Sequence, residues 1–291
     1  MEKQSVPIEQ KAKWLRDLMK SGVDIIQVGS FVNPRKVPQM ADTDRLFHEF
    51  ADEAKGKVIL SGLVLNEKGL ERGLECGVGM FCMGVSASET HSNKNTGMSV
   101  SEATARIIAM ARLALGQKKH VQVSVQSAFG CGFEGPVPQE RVLQIARRYV
   151  DAGLTTISLA DTAGHATPDQ VERMFASIRQ LGDDVVCACH FHNTYGLGLA
   201  NSYAAWKSGV QYFESSVAGL GGCPFTKIAG GNVCTEDLVH MLQRMGLRPD
   251  IRLDTLLACA SDVASYFQRE MPGTVYRTGP ITMPAHSGEV A

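Results

Sequence analysis

Two histidines one residue apart, His190 and His192, close the apolar run Val185-Val186-Cys187-Ala188-Cys189. Alternate residues of a strand project to one side, so this spacing offers two imidazoles together at a strand end. Such a pair can bridge a metal ion; the plainer alternative is two polar side chains hydrogen-bonded where the strand stops. Asn193-Thr194-Tyr195-Gly196 then turns the chain into a helix-like segment, Leu197 to Lys207. The pair therefore belongs at the carboxyl end of a strand in a strand-helix unit, the place where α/β barrels keep their chemistry. His48, His91, His120, His165, His240 and His286 lack this spacing and are expected to face solvent or to be satisfied locally.

Two later stretches carry chemistry of other kinds. In Ser215-Ser216-Val217-Ala218-Gly219-Leu220-Gly221-Gly222-Cys223-Pro224-Phe225 a strand gives way to a loop of tiny residues that lets backbone approach a ligand. Cys223 at its tip is either an acid/base or nucleophilic thiol or an incidental loop cysteine. In Gly230-Gly231-Asn232-Val233-Cys234-Thr235-Glu236 an amide stands beside two glycines just before a helix. Asn232 can offer an oxygen ligand, or it can be a turn residue tolerating left-handed backbone.

The elements that must position these residues repeat one phrase: an amphipathic stretch closing near a glycine, a short apolar run, then a polar or glycine-rich loop. The runs read as parallel strands, apolar almost throughout, at Ile25 to Val28, Val58 to Leu65, Met80 to Val85, Val121 to Ser127, Thr156 to Ala160, Val185 to His192 and Tyr212 to Val217. Thr167, Pro168 and Gln170 give a capping box opening a helix that ends near Gly182. Comparable helices are expected from about Pro7 to Lys20, Ser101 to Leu115, Pro138 to Asp151 and Thr235 to Arg244. A closed barrel needs eight strands, and here a helix comes first, so the strand that should precede Pro7 is expected to be absent. Residues 1–271 read as one α/β domain, with a loose tail from Pro272 to Ala291.

The 291 residues, 44% of them hydrophobic, suffice to bury a full core. A formal charge of -1 and the lack of any basic run with interleaved aromatics argue against nucleic acid as a partner. No signal-peptide core and no membrane-length apolar stretch is visible, so a cytoplasmic protein without membrane contact is expected. Eight cysteines without a Cys-x-x-Cys pair suggest free thiols in a reducing compartment, Cys187 and Cys189 being small core residues.

Taken together, these stretches resemble the hydroxymethylglutaryl-CoA lyase family, a branch of the metal-dependent barrels, over roughly residues 2 to 260. Further parts of the resemblance are Ser30-Phe31-Val32-Asn33-Pro34, Phe129-Gly130-Cys131, Phe133-Glu134-Gly135 and Ile157-Ser158-Leu159-Ala160-Asp161-Thr162. The resemblance implies a TIM (β/α)8-type barrel in which His190, His192 and Asn232 bind a divalent metal, magnesium or manganese. It also implies that Cys223 sits on a mobile loop as proton donor or shuttle, with Asp161 and Gln27 in the same mouth. The implied reaction is cleavage of 3-hydroxy-3-methylglutaryl-CoA to acetyl-CoA and acetoacetate, so the expected partner is an acyl-CoA thioester; a homodimer is left open.

Three departures qualify that expectation. Relatives carry an Arg-Asp pair on the first strand, which this sequence lacks; they have Glu where Gln27 stands, and Asp where Asn193 stands. Two imidazoles and an amide give a hard cation no anionic ligand, so weak binding is expected unless Asp161, Glu214 or the substrate supplies charge. The alternatives are a lyase for another branched thioester, such as a citramalyl-type one, or a barrel retained for binding alone. A condensing synthase and an amidohydrolase fit less well.

Overall fold

A computed structural model describes residues 4–221 and 231–281 of the chain. Seven strands form one sheet: β1 (Ile25–Ser30), β2 (Ile59–Leu63), β3 (Met80–Ser86), β4 (His120–Gln126), β5 (Thr156–Asp161), β6 (Val186–Phe191) and β7 (Tyr212–Glu214). They lie side by side in chain order, and every neighbouring pair is parallel. All seven expected strands are present within a few residues of their expected ends. β7 stops early because the chain turns over at Val217–Gly219 through Ala218, whose φ of 56° is left-handed. Among the described residues no strand pairs with the outer edge of β1 or of β7, so the fold is an α/β barrel of the TIM type one strand short.

The helices are α1 (Ile8–Ser21), α2 (Thr43–Ala54), α3 (Glu67–Glu75), α4 (Glu89–Thr96), α5 (Val100–Gly116), α6 (Gln139–Asp151), α7 (Pro168–Arg179), α8 (Gly198–Lys207), α9 (Thr235–Arg244), α10 (Leu253–Phe267) and α11 (Val275–Thr278). Of these, α2, α3, α4, α10 and α11 were not anticipated, the last lying where a loose tail was expected. In α2 the apolar positions Leu46, Phe47, Phe50 and Ala54 are helically spaced and buried. α3 contains two glycines, poor helix formers, because the sheet leaves no room: a Cβ on Gly73 would lie 2.5 Å from the Phe81 ring. α4 is built from weak helix formers and starts where Ser88 caps it, accepting from His91 N–H at 3.1 Å. At α7, Gln170 reaches back to Thr167 N–H at 3.2 Å, as its capping signature implied.

The two faces of the sheet differ. Outward-facing Phe81, Met83, Val123, Val125, Ile157 and Leu159 are all within 1% of complete burial and pack beneath the helices. The inward positions of the same strands carry Gln122, Ser124, Gln126 and Ser158, which border a cavity. The expectation of strands apolar throughout is thus corrected. β4, His-Val-Gln-Val-Ser-Val-Gln, alternates because only one of its faces joins the aliphatic core. Close strand approach inside requires Gly84, where a Cβ would sit 1.9 Å from Ser124 Oγ.

A second cluster joins Trp14 and Val263 to Ala218 and Met271. The part of the C-terminal segment that is described, residues 272–281, includes α11, whose first N–H groups at Thr274 and Val275 donate to Asp237 at 2.8 to 3.1 Å. No helix among the described residues is long and apolar enough to cross a membrane.

Candidate active site

β6 alternates as its sequence implies. Cys187, Cys189 and Phe191 are buried in the outer core, whereas His190 and His192 border the inner cavity, their ring centroids 5.2 Å apart. Burial pushes the Cys189 thiol well up, in keeping with an inert packing role.

Asn232 comes to the histidines through an antiparallel bridge with His192, supported by Val233 N–H donating to Phe191 O at 3.1 Å and Asn193 N–H to Gly231 O at 2.8 Å. Its amide NH2 donates to Leu220 O at 2.7 Å. That bond leaves Oδ1 buried beside the His190 ring, whose charged form it favours, without a well-formed hydrogen bond among the described residues. An orphaned buried carbonyl oxygen costs about 1–3 kcal/mol unless a ligand engages it. Two imidazoles and this oxygen on one cavity wall form a donor set that fits a divalent cation. Among the described residues no group of three His, Cys, Asp or Glu side chains could hold a metal, so the amide is needed to complete the set.

Behind His190 stands Glu214, its register partner on β7. Glu214 Oε2 is 3.3 Å from His190 Nδ1, while Oε1 accepts from Gln122 Nε2 and Ser158 Oγ, each at 2.7 Å. Burial pushes the Glu214 carboxyl up, but His190, Ser158 and Gln122 outweigh it and hold it below the usual carboxylate range. Burial likewise opposes charge on His190, yet Glu214, Asp161 and Asn232 raise its pKa overall. With Glu214 on Nδ1, the other ring nitrogen is the one left for a ligand. Gln122 and Ser158 were missed in the sequence, although both occupy inward positions of alternating strands.

The other anticipated residues separate. Gln27 is exposed on β1 and borders both the mouth cavity, about 330 Å³, and a larger one of about 450 Å³ that extends between the open edges of β1 and β7. Asp161 is completely buried, and its carboxylate accepts from His165 N–H at 2.8 Å and Ala166 N–H at 3.0 Å, holding the β5–α7 loop. It does not border the mouth cavity, and burial raises its pKa against those bonds. Cys223 lies outside the described residues. His91 lies on α4 and borders the mouth while 4% exposed, its pKa pushed down by burial.

Known proteins are similar to this chain over most of its length. The hydroxymethylglutaryl-CoA lyase of Bacillus subtilis is 34% identical over 267 residues, covering 92% of this chain and 89% of its own. The (R)-citramalyl-CoA lyase of Chloroflexus aurantiacus is 35% identical over 282 residues, covering 93% and 88%. Among solved structures, an HMG-CoA lyase from Acinetobacter baumannii in complex with coenzyme A and 3-methylmalate superposes with a TM-score of 0.90 at 32% identity, over 100% of this chain and 93% of its own. The HMGL-like family model matches residues 1–263, and with these relatives it establishes that the chain belongs to the HMGL-like family of carbon-carbon lyases.

Proposed function

We propose that the protein is a divalent-metal-dependent lyase that cleaves a 3-hydroxyacyl-CoA, with 3-hydroxy-3-methylglutaryl-CoA as the first substrate to consider. The observation that carries this reading is the buried Oδ1 of Asn232, without a well-formed hydrogen bond, on the same cavity wall as His190 and His192. These three residues would hold magnesium or manganese. When bound, such an ion supplies Lewis acidity that lowers the pKa of a coordinated substrate hydroxyl.

The chain's own groups supply orientation and charge. Glu214 fixes the ring of His190 and places a negative charge one hydrogen bond behind it, which offsets the lack of a carboxylate among the three donors. Gln122 and Ser158 occupy Glu214 Oε1, so that carboxylate keeps a single orientation. The hydroxyl proton passes to solvent, the oxygen left behind forms the new carbonyl as the adjacent carbon-carbon bond breaks, and the electrons of that bond form the enolate of the departing thioester, which then takes up a proton. We assign that proton delivery to Cys223, on the family resemblance, and to Gln27 an amide directed at the substrate from the cavity rim. Asp161 acts indirectly, by holding the loop after β5.

The (R)-citramalyl-CoA lyase relative supports a second reading, in which a different branched hydroxyacyl thioester is preferred. Incubation of the purified protein with Mn2+ or Mg2+ and a panel of both thioester types, following ketoacid release, tests the proposal. Metal-dependent cleavage of at least one member is expected; failure with all of them rejects it.

A further inference from the structure

Glu236 lies four residues beyond Asn232, completely buried, at the start of α9. Its Oε2 accepts from Ala218 N–H at 3.0 Å, and its Oε1 has no hydrogen-bond partner among the described residues. Ala218 is the left-handed residue of the turn after β7, a conformation disfavoured for an L-residue that persists only when its surroundings impose it. Two residues on, Leu220 O receives the Asn232 amide. A continuous path therefore runs from the Glu236 carboxylate through the turn at 218 to the carbonyl that decides which way the amide of Asn232 points.

The path is braced from the far side. A Cβ on Gly273 would meet Glu236 Oε1 at 2.3 Å, so the chain at 273 presses directly on the carboxylate. Pro272 packs on both limbs of the same region: its ring is 3.1 Å from where a Cβ would stand on Gly219 and 3.1 Å from where one would stand on Gly231. Asp237 holds this segment in place through Thr274 and Val275.

We propose that Glu236, clamped by Pro272-Gly273, is a positioning residue for Asn232: by pinning the Ala218 turn it sets the Leu220 carbonyl and so turns Asn232 Oδ1 toward the two imidazoles. This rests on the reading of Asn232 as a metal donor. What matters is a hydrogen-bond acceptor at the Oε2 position. Glu236→Gln keeps one there, whereas Glu236→Leu fills similar space without it.

The test is Mn2+ titration of the full chain, free of substrate. Glu236→Leu should weaken binding about 10-fold or more, Glu236→Gln should stay within about 3-fold of the parent, and Gly273→Ala, which crowds the carboxylate, should fall between them. A second readout needs no metal: the Asn232 side-chain NH2 resonances, identified by their loss in Asn232→Asp, should be protected from exchange in the parent and in Glu236→Gln but not in Glu236→Leu. Should Glu236→Leu fail to fold, Gly273→Ala is read by the same two measurements, with weakened binding and lost protection expected. Unchanged affinity and unchanged protection in Glu236→Leu, or in Gly273→Ala when it stands in, overturns the proposal. So does a Glu236→Gln variant as impaired as Glu236→Leu. If the parent binds no Mn2+, the metal reading fails by itself and the amide protection still decides the positioning role.

Discussion

The outer and inner faces of the one sheet perform different tasks with the same strands. Outward residues such as Phe81, Val123 and Leu159 are sealed against the helices, and their contribution is burial. Inward residues such as Gln122, Ser158, His190 and Glu214 hold one another by directed hydrogen bonds around a cavity. Stability and chemistry are therefore separable on this scaffold, because alternation places them on adjacent residues of each strand that point to opposite faces.

The sharpest way to break that separation is at its two extremes. Phe81→Ala removes a completely buried ring from the outer face and should cost about 3–5 kcal/mol in urea-induced unfolding, while the folded fraction keeps its cleavage rate per molecule. His192→Ala should do the reverse, lowering cleavage by about 10³-fold, equivalent to about 4 kcal/mol in the barrier, with a melting temperature within a few degrees of the parent. If His192→Ala unfolds the protein, or Phe81→Ala silences the folded enzyme, the two faces are not independent.

A third measurement concerns Glu236, which belongs to neither face. Burial, reinforced by Asp237, raises its pKa from 4.5 to about 7. The folded state therefore holds this proton more tightly than the unfolded chain, so the group's contribution to stability is present below pH 4.5 and is lost as pH rises toward 7. Relative to Glu236→Gln, the parent should gain on the order of 2–3 kcal/mol as pH falls from about 7 to 4.5, read from parallel denaturant curves. Equal pH slopes would show that Glu236 is not held protonated.

The mildest intervention, Glu214→Gln, removes the charge behind His190 while keeping most of the shape. A 10–100-fold loss in metal affinity is expected, with stability nearly unchanged. A large stability loss would make the inner network structural instead.

The sequence disclosed the fold through its apolar runs, because outward β-residues in contact with helices must be apolar; all seven strands could be placed this way. It concealed α3 and α4, where glycines and polar residues serve close packing and capping in place of propensity. The His190 and His192 pair was legible because a spacing of two has one geometric meaning in a strand. Glu214, Gln122 and Ser158 were not equally legible. Their convergence depends on register across β4, β5, β6 and β7, which no local pattern specifies. Asp161, placed in the mouth by the family resemblance, has both oxygens occupied by backbone N–H groups of its own loop.

In the proposed site Glu214 would reach a cation only by way of the His190 ring, so the grip on metal would be retunable without replacing any donor atom. Exchanging the groups at 122 or 158 would make Glu214 a stronger or weaker base and pass that change along the imidazole. Descendants of this barrel could thus drift between tight and exchangeable cofactor retention through neutral-looking polar substitutions that leave the ligand signature untouched.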